Sequence, residues 1–226
     1  MSANTNANRA TVRGGGAITT TVVLLWASGR RPARLDAKSV GRNRIAPRAA
    51  SDGQPMQANG PDITIRDWRP DDAWGVLRVK CAAVHETAAA HYDELIRRDW
   101  APQVTAEGVA RYLQSDARRQ EATLVAVLDA AVVGFASIVA PLSELQAVYV
   151  SPHVGQQGVG SRLLASVEEL ALRHGIQQLR LHSSLNAVPF YRARGYVAEG
   201  HAEHTLSTGR TMACVPMRKT LTPRSA

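Results

Sequence analysis

Two hydrophobic periods alternate along residues 63–221. ITIRDW (63–68) switches between apolar and polar at every step, as a half-buried strand does. RPDD (69–72) then supplies Pro and Asp at a helix start, and Trp74, Leu77, Val79, Cys81 and Val84 predict a helix to about Thr87. AAAHYDELIRRDW (88–100) predicts a second helix stopped by Pro102, and a third begins at Thr105, a suitable cap, with Val109, Tyr112 and Leu113 inside it. ATLVAVLD (122–129) and AVVGFASIVA (131–140) then predict an antiparallel pair turning at Asp129–Ala130, followed by a third strand, LQAVYV (145–150).

The clearest helix is VGSRLLASVEELALRHG (159–175), with Leu163, Leu164, Val167, Leu170 and Ala171 on one face and Gly175 at its end. IQQLRLH (176–182) predicts a strand, NAVPFYRARG (186–195) a short helix, and 196–204 and 211–221 the last two strands around Gly209. The predicted frame is β-α-α-β-β-β-α-β-α-β-β, with the Thr105 segment added: an α+β fold with a mixed, mostly antiparallel sheet flanked by helices. No internal repeat interrupts it.

Residues 1–60 show no sustained period and are rich in Gly, Ser, Asn, Ala and Arg, which predicts a disordered basic extension. They carry much of the net charge of +8: nine of the 27 Lys/Arg and two of the 19 Asp/Glu lie there, leaving 18 basic against 17 acidic residues in 61–226. The charge therefore gives no reason to expect nucleic acid on the folded part. AITTTVVLLWA (17–27) is shorter than the roughly 18–20 residues needed to span a bilayer. No membrane partner is expected, and a cytoplasmic location is, with a targeting role for the arginine-rich start left open. Cys81 and Cys214 have neither CxxC spacing nor a ligand cluster, and His85 and His91 are six apart, where a zinc-protease HExxH needs four. No metal is expected.

The chemistry concentrates in GQQGVG (155–160), three glycines between a strand and a helix. A Walker loop would need Lys after Gly160, and a dinucleotide fingerprint would need another glycine order and an acid after the next strand. A tight turn explains one glycine more easily than three. What remains is an anion site: a helix N-terminus whose free amides face a ligand that Gly158 and Gly160 leave room for.

The succession of strand, glycine loop, amphipathic helix, strand and NAVPFYRARGY (186–196) resembles the GNAT N-acetyltransferase superfamily. VHETAAAHYDELIRRDWAP (84–102), SSLNAVPFY and GRTMACVPMRKTL resemble its YafP-like subgroup, and together the resemblance covers about 62–221. It implies a single acetyl-CoA-dependent domain over 61–221, followed by a short tail, 222–226. Acetyl-CoA would then be held by Val148, Tyr149 and Val150 of the central strand, by Gly155, Gln156, Gln157, Gly158, Val159, Gly160 and Ser161 of the loop, and by Asn186. The family pattern has Gln or Arg where this chain has Gly155, so a side-chain contact to phosphate is missing there. Tyr191 would be the general acid and Glu144 the first choice of general base, with His85 and Glu86 as alternatives. Phe190 and Tyr196 would be core. His85, His91, Tyr92 and Trp100 would face the acceptor.

The implied activity is acetyl transfer to an amine, first a small molecule, with a protein amine as alternative and a homodimer as a possible assembly. Two other classes stay open: a non-catalytic CoA-binding sensor, and a nucleic-acid binder led by the basic extension.

Overall fold

The computed structural model describes residues 62–115 and 121–223; the expectations for residues 1–60 and for the stretch 17–27 lie outside them. Strand β1 (Thr64–Asp67) leads through a turn at Pro70–Asp72 into helix α1 (Ala73–Thr87). Arg66 fastens that join: its guanidinium makes a two-pronged ion pair with the buried Asp72 carboxylate, at 2.7 and 2.8 Å. The buried face of α1 is Val76, Val79, Ala83 and Val84. Trp74, one of the apolar residues that predicted the helix, is 41% exposed and lies under Arg78.

The single helix expected over 88–100 is split. The chain turns through Ala88–Tyr92, and α2 (Glu94–Trp100) begins only after Asp93, whose carboxylate accepts from the Ile96 amide at 2.8 Å. Asp93 competes for the backbone as an N-cap and restarts the helix there. Helix α3 (Ala106–Gln114) is capped by Thr105 as expected, through the Gly108 amide.

Strands β2 (Glu121–Leu128) and β3 (Ala131–Val139) form the expected hairpin, with Asp129 and Ala130 both at positive φ, the geometry that suits a two-residue turn to strand twist. β4 (Glu144–Val150) pairs antiparallel with β3, and Gln146 is one residue too many for the ladder, which makes a bulge. Helix α4 (Val159–Arg173) closes as a Schellman turn: the Gly175 amide donates to Leu172 and the Ile176 amide to Ala171, with Gly175 at φ +76.

Strand β5 (Gln178–Ser184) runs two residues later than expected, and helix α5 (Val188–Arg192) is shorter than its predicted span. The strand expected over 196–204 is two pieces, β6 (Val197–Ala198) and β7 (Ala202–Thr205), broken at Gly200 with φ +134. Both pair with β8 (Thr211–Thr220).

The sheet order is β1-β2-β3-β4-β5-β8-β6, with β7 also on β8. Every pairing is antiparallel except β4 with β5. Helix α4 packs on one face, over Leu124, Ala136, Ile138, Leu145 and Leu181. Helices α1 and α2 pack on the other, over Val125, Phe135, Tyr149, Met212 and Cys214. Gly134 allows α4 to approach β3: a Cβ there would lie 2.8 Å from Leu163 Cδ1 and 3.1 Å from the Tyr149 carbonyl oxygen. Among the described strands the one parallel pair is short. β4 and β5 are in register at Glu144 and Arg180 alone, and beyond that point the two strands separate.

Candidate active site

The glycine loop stands at the end of β4, on the side where β4 and β5 part. After Val150 the chain makes a short turn at Pro152–Val154 and enters α4 at Val159. Gly158 is the N-cap, at φ +77, and no side chain caps the helix. A Cβ on Gly158 would meet nothing within 4 Å, so the glycine is set by backbone conformation and by the open space beside it. Gln156 also takes positive φ (+64), whereas Gly155, at φ −58, has an ordinary backbone.

The first amides of α4 have no intrahelical acceptors and the helix dipole is positive there. They face a cleft of about 210 Å³ lined by Val150, Gly155, Gln156, Gly158, Val159, Gly160 and Ser161, with Phe190 and Arg194 as the opposite wall. Phe190, expected in the core, is therefore only partly buried; Tyr196 is buried as expected. The uncapped helix start suits an anion, and β4 beyond Glu144 has no register partner on β5, so its backbone is open to pairing with an extended chain. The residues fit the diphosphate and pantetheine arm of acetyl-CoA.

Behind Phe190, which lines the cleft, lies an aromatic cluster. Tyr191 on α5 is fully buried, edge-on to Phe190 and Tyr196, and its hydroxyl has no hydrogen-bond partner among the described residues. Burial first, then the neighbouring Tyr149, push its ionisation well above the ordinary tyrosine value, so the phenol keeps its proton. Tyr149 stacks on Phe135 with centroids 5.2 Å apart and accepts a hydrogen bond from the Trp100 indole at 3.2 Å. Val148 is buried in the same strand, and Asn186 is buried in the turn that links β5 to α5.

Glu144 opens β4 and faces His182 of β5, with Oε1 and Nδ1 3.5 Å apart. His204 of β7 and Lys80 of α1 share their surroundings: burial lowers the His204 pKa, His182 and Lys80 push it the same way, and Glu144 opposes them. His182 and His204, on two separate strands, both lie within electrostatic reach of Glu144, and the hydrophobic pattern carried no signal for them.

The four residues expected at the acceptor divide. Tyr92 donates to the Ala213 carbonyl at 2.7 Å and accepts from the Leu185 amide at 2.9 Å, so its hydroxyl ties α2's leading turn to β8 and to the end of β5. Trp100 is buried, 5.6 Å from the Tyr92 ring and bonded to Tyr149. Both lie on the α1 and α2 face of the sheet, in the same cluster as Tyr149. His85 contacts the Ala101 carbonyl through Nε2 at 2.8 Å and lines a separate groove with Cys81, Glu94 and Arg98. His91 is exposed on the turn before α2.

Cys214 is buried and Cys81 half-buried, and both are free thiols. No group of three or more metal-ligating side chains forms among the described residues, and no helix among them is long and apolar enough to cross a membrane.

Comparison with known proteins meets this geometry. The family model described as "Acetyltransferase (GNAT) domain" matches residues 85–221, from within α1 to just past β8. A GCN5-related N-acetyltransferase from Rhodopseudomonas palustris is 30% identical, with 74% of this chain and 100% of that one covered at a TM-score of 0.63. PaiA N-acetyltransferase from Thermoplasma acidophilum, in complex with coenzyme A, is 22% identical over 71% of this chain and 99% of its own, at a TM-score of 0.55. A phosphinothricin acetyltransferase from Sinorhizobium meliloti, in complex with acetyl-CoA, is 20% identical over 70% and 88%, at a TM-score of 0.53. Among curated proteins none matches the chain. The glycine loop at a helix N-terminus, the parted β4 and β5 and the family match over most of the folded chain agree, and the chain belongs to the GNAT acetyltransferase family.

Proposed function

We propose that this protein transfers an acetyl group from acetyl-CoA to an amine, with a small-molecule amine as the first acceptor class, and that it belongs to the YafP-like subgroup. The observation that carries the reading is the parting of β4 and β5 beside the uncapped start of α4. It offers an anion cradle, an extended slot and a buried proton donor in sequence along one path.

In this reading the amides of Val159, Gly160 and Ser161 hold the diphosphate, with Gly155, Gln156, Gln157 and Gly158 forming the rim. The backbone of Val148, Tyr149 and Val150 pairs with the pantetheine arm as an added strand would, and a backbone N–H there steadies the oxyanion as the amine attacks the thioester carbonyl. Asn186 holds the arm from the β5 side.

An alkylammonium of pKa about 10 must lose a proton before it can attack. Glu144 takes that proton, directly or through water, at the strand end where it meets His182. Tyr191 gives a proton to the departing thiolate. Its raised pKa does not forbid the transfer, because a thiolate formed in the same apolar gap is desolvated too and becomes more basic with it. Tyr92 and Trp100 act by fixing Tyr149 and the end of β5. A cytoplasmic location and a homodimer accompany this reading.

The test is a calorimetric titration of the full chain with acetyl-CoA, beside the variant Gly158→Trp with Gly160→Trp. An amine panel scored by free thiol release follows. Binding that the variant loses supports the reading. A folded wild-type protein that binds no acetyl-CoA overturns it.

A further inference from the structure

Arg194 follows α5 and is held rigidly at the cleft. Its Nη1 donates to the Phe190 carbonyl at 3.0 Å, its Nη2 donates to Ser161 Oγ, and its guanidinium carbon sits 3.6 Å over the Phe190 ring. Ser161 lies in the first turn of α4, so Arg194 bridges the helix that begins at the glycine loop and the helix that carries Tyr191.

This is a costly place for a cation. The N-terminus of α4 is the positive end of its dipole, and a guanidinium beside it is repelled. The hydrogen bonds Arg194 makes among the described residues go to a carbonyl and a hydroxyl, both neutral. Burial lowers its pKa, with Tyr191 and Glu168 working against that shift. A positive side chain packed against a positive helix end, with neutral hydrogen-bond partners, becomes favourable when an anion lies between them. A guanidinium has five N–H donors in a planar fork suited to phosphate oxygens, and two are engaged among the described residues.

We propose that Arg194 is the cationic clamp on the diphosphate of acetyl-CoA, closing the cradle from the α5 side. It does from across the cleft what Gly155, without a side chain, cannot do from the loop. Ser161 and the Phe190 ring are its positioning residues. The assignment rests on the acetyltransferase reading above and adds to it the source of the charge.

The test uses the full chain and three ligands: acetyl-CoA, its 3′-dephospho form, and S-acetylpantetheine, which has no phosphate. Arg194→Gln is expected to weaken acetyl-CoA and the dephospho form by the same factor, about 10–100-fold, from the loss of a charge-assisted contact. S-Acetylpantetheine is expected to bind both proteins within about twofold of each other, and Arg194→Lys to recover part of the loss, as a point charge without the fork. The proposal is overturned if Arg194→Gln leaves acetyl-CoA affinity unchanged. It is also overturned if only the 3′-phosphorylated ligand is weakened, or if S-acetylpantetheine weakens equally, which marks a general loss of the site. Each of these outcomes leaves the acetyltransferase reading standing. Failure of the wild-type chain to bind acetyl-CoA removes both.

Discussion

Glu144 Oε1 lies 3.5 Å from His182 Nδ1, two residues beyond Arg180, the β5 residue in register with Glu144. Neither atom has a hydrogen-bond partner among the described residues, so the two groups are close without being aligned to each other. A carboxylate held in this way can turn to an incoming ammonium.

The expected consequence is kinetic. Glu144→Gln keeps the size of the side chain and removes the base. It should lower kcat for the best amine by about 100-fold or more, while the acetyl-CoA affinity stays within twofold. Steady-state rates beside calorimetry on the same protein check it. An unchanged kcat would move the base elsewhere, with His182 as the next candidate.

Tyr191 offers the opposite signature in stability. Its hydroxyl is buried and unpartnered among the described residues, so Tyr191→Phe removes a polar group that burial penalises. The variant should be as stable as the wild type, or more stable by up to about 1 kcal/mol, and yet lose about 100-fold in kcat. Thermal melting and single-turnover acetyl transfer together test this. A clear loss of stability would mean that the hydroxyl has a structural partner.

Gly134 should resist enlargement. Gly134→Val places methyl groups against Leu163 and the Tyr149 carbonyl, and α4 must retreat from β3. A loss of about 1–3 kcal/mol is expected in urea unfolding, together with weaker acetyl-CoA binding, because the glycine loop moves with the start of α4. Normal stability in Gly134→Val would mean that the α4 contact is looser than the distances indicate.

His204 should make the protein acid-sensitive. Burial holds its folded pKa below the ordinary 6.5, with His182 and Lys80 pushing the same way and Glu144 opposing. Above pH 6.5 the imidazole is neutral in both states and stability is full. As pH falls below that, the unfolded chain takes up the proton first, and stability is lost down through the folded pKa. Urea midpoints at pH 7.5 and 5.5 should show a drop that is smaller in His204→Gln. An equal drop in both would place the sensitivity on other groups.

Much of the fold was legible in local pattern. The β2–β3 hairpin, the Thr105 cap, the apolar face of α4 and its Gly175 stop all follow from residues within a few positions of one another. The breaks at Asp93 and Gly200 are hidden in the hydrophobic pattern. Each replaces one expected element with two, because a single capping or positive-φ residue interrupts a run whose hydrophobic period continues across it.

Residue order along the chain is enough to specify the glycine loop, the succession of strand, loop and helix, the motif carrying Asn186 and Tyr191, and the separation of the basic extension from a nearly neutral remainder. These are short-range facts. It takes the folded chain to bring Arg194 to Ser161, 33 residues away, Trp100 to Tyr149, and the Tyr92 hydroxyl to Leu185 and Ala213. Folding also sets His182 beside Glu144. Such contacts depend on which strands become neighbours and which face each side chain takes, and β5 lies between β4 and β8 only because distant segments close the sheet around it. Local periodicity tells a residue which way to point, and the order of the sheet decides what it finds there.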